Sequence, residues 1–364
     1  LQYLQDPILP VRAHGLHLLT RLVSRVARNH SAKCYGDELD HALIPEIFDL
    51  FLHAIQDDES FLYLNAVQGL AQMAMSWRDA VLRPLMAMYV GGDKTQDGMS
   101  HALSYGQELT QRETDQRLRI GEAILQVLQH LGEAVVSELD RIVPPLLTAV
   151  RNPLFSATLR SSFISILGTC VEIAPTALAA DRSSVHMVHM CTELIQATTE
   201  RRAIRQRSRV RASVQGVGAG GEVTERSLDD EDEEEAMWER EATSGTDRDV
   251  HRPQLRRAAL LLLLMLLRAT QEQLDDYRES CERDLDDIDA PLSSLRLPGG
   301  GVLPDVHGRA KPTLPPLLVP VDVLGSVMPV VTYMAQEEAD NVVRVQAQDC
   351  IDHIRLVELA YIGL

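Results

Sequence analysis

Two stretches of the sequence share one pattern and decide the fold. Residues 5–19 read QDPILPVRAHGLHLL, and residues 56–70 read QDDESFLYLNAVQGL. In each stretch a polar turn precedes apolar residues at helical spacing, because Asp and Pro break one helix and Asp or Ser can cap the next. Asp6 and Asp57 lie about 50 residues apart, near the roughly 40–47 residue period of HEAT and armadillo units. The pattern predicts helix pairs that must stack on neighbouring pairs to bury their apolar faces.

Weaker copies of the same pattern follow at Arg151–Arg160 and at Glu337–Ala347. Between the second and third copies, apolar spacing predicts helices over Ser76–Val90 and Arg117–Leu131, separated by a polar stretch that starts at Gly91. Outside that polar stretch, no alternating apolar runs are joined by hairpin turns, which argues against strands. The sequence therefore predicts an all-α fold, a HEAT/armadillo-like α-solenoid of antiparallel helix pairs.

Two segments interrupt the pattern and are predicted to be disordered insertions. Residues 201–254 begin with an arginine-rich run, pass through several glycines and reach seven consecutive acidic residues. Residues 275–320 are acidic and then rich in Pro and Gly, without a periodic apolar face. The predicted organisation is a helical region at 1–200, followed by terminal helical repeats at 255–274 and 321–364.

The composition favours packed helices and limits the classes of partner. Hydrophobic residues make up 45% of the chain but aromatic residues only 4%, which is unusual for a β-sandwich. The net charge of −18 predicts no direct binding to nucleic acid, because phosphate backbones would be repelled. The longest apolar run, Ala258–Leu267, is about half of what a bilayer span needs. The five scattered cysteines favour a reducing compartment, and a first residue of Leu1 predicts a piece of a longer protein.

Two segments also resemble a known family. Asp6–Leu19 and Asp57–Leu70 resemble the larger C-terminal domain of the RNA polymerase II assembly and nuclear-import factors, whose metazoan relatives are named transport and Golgi organisation protein six. The likeness is clearest over residues 1–90. A shorter likeness at 256–260 and 321–347 resembles the small second C-terminal domain of the family, here split by the acidic and Pro-rich loop.

This resemblance implies a non-enzymatic, cytoplasmic protein-binding scaffold. It would bind RNA polymerase II subunits during assembly and accompany the enzyme toward the nucleus. Its partners would be polymerase subunits, assembly chaperones, and nuclear-pore or transport components. For the metazoan relatives, the resemblance implies an alternative: a Golgi-associated trafficking scaffold in secretory transport.

The repeat turns carry residues with a predicted structural role. Asp and Asn can cap the helix that follows a turn, and the helix dipole favours carboxylates there. Arg12 and Arg344 follow their turns at similar places, which predicts an Asp–Arg ladder between repeats. The predicted turn and ladder residues are Asp6, Arg12, Asp57, Asp58, Asn152 and Arg344.

The sequence does not favour catalysis or metal binding. His186, His189 and Cys191 are metal-ligand types close together, but no second ligand pair follows at zinc-site spacing. Gly216–Gly221 spells GxGxxG between an arginine-rich and an acidic run, where a dinucleotide site would need a strand and a helix. No Walker, HExxH or GxSxG motif is present. We therefore predict no enzyme, no cofactor and no metal.

Two sets of residues are candidates for binding a client protein. Asn65 and Gln68 lie about one turn apart on an otherwise apolar helix, where they could bind an extended peptide or hydrogen-bond between repeats. The acidic run could shield basic surfaces of an unassembled client, or it could be a solvated charge run. That run comprises Asp229, Asp230, Glu231, Asp232, Glu233, Glu234 and Glu235.

Overall fold

A computed structural model describes residues 8–31, 43–57, 59–91, 109–196, 253–286, 316–338 and 340–362. Every regular element in these ranges is a helix, which confirms the prediction of an all-α fold. Of the two predicted insertions, 201–254 and 275–320, residues 201–252 and 287–315 lie outside the described ranges, whereas residues 253 and 254 begin a helix.

The chain forms twelve α-helices and one 3-10 helix within the described ranges. They are α1 (Leu9–Ser31), α2 (Leu43–Ile55), α3 (Ser60–Ser76), α4 (Arg78–Val90), α5 (Gln111–Leu131), the 3-10 helix (Gly132–Glu138), α6 (Leu139–Arg151), α7 (Ala157–Ile173), α8 (Pro175–Ala180), α9 (residues 183–196), α10 (Pro253–Asp286), α11 (Val321–Glu337) and α12 (Asn341–Ile362).

The helices pack in a regular order. Helices α1, α3, α5, α7, α10 and α12 form one row, in which each helix contacts the next. Helices α2, α4, α6 and α11 pack against the row helices α3, α5, α7 and α12, and α4 also contacts α6. Most helices therefore contact only the helices next to them in the row or beside the row.

The apolar pattern of each helix matches its place in the packing. In α6, which lies beside the row, the buried residues fall on one side of the helix: Ile142, Val143, Leu146, Leu147 and Val150. Helix α7 lies within the row between α5 and α10, and it buries residues around most of its circumference. Because α7 has neighbours on several sides, small residues such as Gly168 and Ser161 are buried along with its leucines and isoleucines.

Two glycines allow helices to approach each other closely. An added Cβ at Gly69 of α3 would lie 2.2 Å from the Phe51 ring of α2. An added Cβ at Gly121 of α5 would lie 2.6 Å from the Tyr89 ring of α4. In both places a fully buried aromatic ring occupies the space that a side chain would need.

Two predicted helix boundaries are wrong. Helix α5 begins at Gln111, earlier than the predicted Arg117, because Thr110 and Glu113 form a capping box there. Helix α10 continues to Asp286, although residues from 275 onward were predicted to be a loop. The apolar spacing ends near Leu274, but Arg278 and Glu279 beyond it are good helix formers and lie on an exposed part of the helix.

Candidate protein-binding site

The turn between α2 and α3 is held from two neighbouring helices. Arg12 of α1 lies 3.6 Å from the carboxylate of Asp57. Arg119 of α5 donates to the backbone carbonyls of Gln56 and Asp57 at 3.1 and 2.9 Å. The Asp57 side chain accepts from the backbone N–H of Glu59 at 3.1 Å. This turn therefore fixes the start of α3 relative to both α1 and α5.

The predicted capping by this turn needs correction. The residue before α3 is Glu59, and its side chain makes no capping hydrogen bond. Asp57, three residues before the helix start, instead closes a local turn and carries the ion pair with Arg12 of α1.

The other predicted turn residues act within their own turns. Asn152 accepts from the backbone N–H of Leu154 at 3.0 Å, and Ser156 caps α7. Arg344 donates to Asn341 one turn earlier. The expected Asp–Arg ladder at this place is instead formed by Arg256 with Glu338 and Arg257 with Asp340, because the start of α10 lies against the turn before α12.

One side of α3 exposes large apolar residues. Phe61 is 71% exposed and Leu64 is 58% exposed, and Met75 continues the same side about three turns after Leu64. Asn65 and Gln68 lie on this side as well, because spacings of three, four and seven residues return to one helix face. We call Phe61, Leu64, Asn65, Gln68 and Met75 the α3 outer face.

The two polar residues of this face leave it available to a partner. The Asn65 amide donates to the carbonyl of Phe61 at 2.9 Å, within α3 itself. Its backbone carbonyl accepts from Thr20 of α1 at 3.2 Å. Gln68 is exposed to solvent. Asn65 thus contacts α1 through its backbone carbonyl, whereas its side-chain amide makes a hydrogen bond within α3.

Helix α3 is held firmly beneath this face. Ser76 donates to the carbonyl of Ala27 in α1 at 3.1 Å. On the same side of α3 as Gln68, Gln72 lies 2.8 Å from His130 of α5. Tyr63 is half-buried, and its burial raises the pKa of its hydroxyl. A face on such a helix loses little conformational freedom when it binds, which favours affinity.

A concave feature lies between α4 and α6. It is a cavity of about 450 Å³ with an apolar floor that includes Leu82, Met86 and Ile142. Arg141 of α6 pairs with Asp79 of α4 across its rim and also with Glu138. The sequence analysis did not find this cavity, because it arises only from the packing of two ordinary amphipathic helices.

The residues considered for metal binding do not converge. His186 and His189 are exposed on α9, whereas Cys191 is fully buried in the core. Burial also raises the pKa of the Cys191 thiol, which disfavours the thiolate that a metal would need. Among the described residues, no group of three or more metal-ligand side chains could hold an ion. Within the same ranges, no helix is both long and apolar enough to cross a membrane.

Several predicted residues lie outside the described ranges. They are Asp6, Asp58, the GxGxxG segment at 216–221 and the acidic run at 229–235.

The described residues define an all-helical protein of closely packed helices with an exposed apolar side on one firmly held helix. A comparison with known protein families finds a match for the first part of the chain. Residues 1–134 match the family described as "Required for nuclear transport of RNA pol II C-terminus 1". The resemblance to RNA polymerase II assembly and nuclear-import factors is thereby confirmed, and the match extends beyond the residues 1–90 in which it was clearest.

Two curated relatives carry names of the same kind. The chain is 22% identical over 174 residues to the RNA polymerase II assembly factor RTP1 of Saccharomyces cerevisiae, which covers 47% of this chain and 15% of that protein. It is 22% identical over 153 residues to the RNA polymerase II assembly factor rtp1 of Schizosaccharomyces pombe, which covers 42% of this chain and 16% of that protein. The matched region is thus a small part of each relative. No solved structure matches the chain.

Proposed function

We propose that this chain is a non-enzymatic, protein-binding part of a factor that assists RNA polymerase II assembly and nuclear import. The names of the family and of both relatives support this role. Its clients would be polymerase subunits, met in the cytoplasm and accompanied to the nucleus. The exposed apolar side of α3 is the single observation from which we choose the client-binding surface.

We also propose that the row of helices is a HEAT-like α-solenoid. The order of contacts supports it, because α3, α5, α7 and α10 each lie between two other row helices, and α3, α5, α7 and α12 each carry a second helix. A stack of this kind offers a long flank to a partner rather than an enclosed reaction cavity.

The α3 outer face is the surface on which we expect a client to bind. Large exposed apolar residues on a firmly held helix are typical of protein contacts, because their burial stabilises a complex at little cost in order. The amides of Asn65 and Gln68 stand among these residues and supply donors and acceptors for a client backbone. The acidic run at 229–235 is a second client-binding candidate, directed at basic surfaces.

The test compares co-purification of RNA polymerase II subunits with the tagged chain and with two double variants. Phe61→Ser combined with Leu64→Ser removes the apolar part of the α3 outer face. We expect recovery of the polymerase subunits to fall about tenfold, as for truncated hot-spot residues. Both side chains are exposed, so thermal unfolding should stay close to that of the unchanged chain.

The matched control is Leu356→Ser combined with Leu359→Ser on α12, where both leucines are also exposed. Recovery with this variant should equal recovery with the unchanged chain. Equal losses with both double variants would show that the α3 outer face is not the binding surface. Failure of the unchanged chain to retain any polymerase subunit would contradict the proposed client.

A further inference from the structure

The cavity between α4 and α6, which we call the α4–α6 cavity, has the size and the lining of a binding site. Its volume of about 450 Å³ lies within the range of ligand pockets, roughly 300–1,000 Å³. Leu82, Met86 and Ile142 of its floor are buried members of the hydrophobic core. The floor is therefore held in place by the core and exists before a ligand binds.

The apolar lining continues from the floor toward the opening. Ala87, Val90 and Pro145 line the cavity and are half-buried. Met86 beneath them has a flexible, unbranched side chain that can adapt to the shape of what it contacts. A large apolar side chain inserted between α4 and α6 would contact both the floor and these three residues.

The charged residues at the rim of the cavity differ in how they are engaged. Arg141 pairs with Asp79 and also with Glu138, so both rim carboxylates already share a cation. Arg83 lines the same cavity and is exposed. Within the described ranges, no hydrogen bond or ion pair engages Arg83. Arg83 is thus the rim charge that remains for a ligand, and a guanidinium favours a carboxylate.

The backbone of α6 supplies a hydrogen-bond acceptor beside this arginine. Pro145 lies inside α6 and has no N–H, so it cannot donate to the carbonyl of Arg141 four residues earlier. Both residues line the cavity. The carbonyl of Arg141 therefore keeps acceptor capacity for another donor, and a peptide N–H is such a donor. A fatty acid, which offers a carboxylate without an N–H, fits this combination less well.

From these observations we infer that the α4–α6 cavity binds a short segment of another protein in which a large apolar residue lies close to an acidic one. The apolar side chain would fill the cavity, the carboxylate would pair with Arg83, and a backbone N–H would donate to the carbonyl of Arg141. The buried apolar contact supplies most of the affinity, and the charge pair selects the segment. The inference does not depend on which client binds the α3 outer face, because that face lies on another helix.

The test first selects peptides from a random library displayed on phage, with the 364-residue chain as the bait. The selection is repeated on Ala87→Phe, in which the added ring would occupy the cavity from a half-buried position. Peptides that the unchanged chain retains and Ala87→Phe loses should share a Leu, Ile, Phe or Met close to an Asp or Glu. This comparison separates the cavity from the α3 outer face, which is the same in both proteins.

The second step measures the affinity of one selected peptide by fluorescence anisotropy. Arg83→Glu should weaken binding about tenfold, because the substitution replaces attraction by repulsion at an exposed position. Changing the acidic residue of the peptide to its amide should weaken binding to the unchanged chain but not to Arg83→Glu, as expected for two partners of one contact. The matched control is Arg21→Glu, which makes the same charge change at an exposed position on α1 and should bind as the unchanged chain does.

Several results would overturn the inference. They are a selection that yields no peptide, equal retention of the selected peptides by Ala87→Phe, and equal weakening by Arg83→Glu and Arg21→Glu. Binding that appears only after residues 93–107 are replaced by a glycine–serine linker would also overturn it, because the chain would then fill the cavity itself.

Discussion

Gly69 lies where the Phe51 ring of α2 crosses α3. A Cβ at this position would stand 2.2 Å from a ring carbon of Phe51, which is fully buried and has little room to move. Forcing extra volume into a packed core costs about 1–3 kcal/mol, although alanine gains up to about 1 kcal/mol over glycine in helix propensity. We predict that Gly69→Ala lowers the free energy of unfolding by about 1–2 kcal/mol, measured by urea denaturation.

Gly325→Ala on α11 provides the opposite case. An added Cβ there would meet nothing within 4 Å, and the residue lies inside a helix. This substitution should raise the free energy of unfolding by about 0.5–1 kcal/mol, because only the helix propensity changes. A stabilising effect of Gly69→Ala would show that the Phe51 ring does not confine the site.

At the scale of single residues, the sequence predicted the residues that recur at the repeated turns. Asp57 and Arg12 stood at repeat turns, and they lie 3.6 Å apart. Arg119 could not be identified, because its bonds to the carbonyls of Gln56 and Asp57 depend on where α5 packs. The same holds for Gly69, whose importance arises from an aromatic ring on another helix.

At the scale of elements, a buried ion pair joins α10 to the turn between α11 and α12. Arg256 and Glu338 pair there with side chains that are almost fully buried. Removing one partner leaves the other charge in the core, which typically costs about 3–5 kcal/mol. We therefore predict that Glu338→Ala lowers the free energy of unfolding by roughly this amount, measured by urea denaturation.

A double substitution distinguishes the contribution of the ion pair from that of the packing around it. Arg256→Met combined with Glu338→Leu replaces both charges with apolar side chains of similar size, which is often close to neutral. The double variant should therefore be more stable than Glu338→Ala alone. A loss below about 1 kcal/mol for Glu338→Ala would indicate that Arg256 is solvated or re-paired without its partner.

The sequence predicted the elements with clear apolar spacing and misjudged those without it. The helix from Arg78 to Val90 lies within two residues of its predicted start, because its buried side recurs regularly. The second half of α10 lacks such a side, and its charged residues suggested a loop instead of an exposed helix. Apolar periodicity marks helices that bury one side. A helix end that is surrounded by solvent has no such side, so the periodicity does not predict it.

At the scale of the whole molecule, the all-α fold followed from composition and repeated turns. The contact of α10 with α7 did not, because more than fifty residues separate α9 from α10 and no local pattern spans them. The exposed apolar side of α3 was also missed as a surface. Phe61 and Leu64 fit the apolar spacing of a buried side, and only the packing shows that they face solvent.

The order of contacts predicts how a local perturbation spreads through the molecule. In a stack where helices contact mainly their neighbours, local stability is a sum of near-neighbour contributions. Gly69→Ala should therefore speed amide hydrogen exchange in α1, α2, α3 and α5 and leave α10, α11 and α12 near their original rates. Glu338→Ala should show the reverse distribution, since its ion pair lies at the other end of the row. Mass-spectrometric exchange under native conditions resolves the two regions. Uniform acceleration along the chain in both variants would mean that the helices open as one cooperative unit, and would argue against the proposed solenoid.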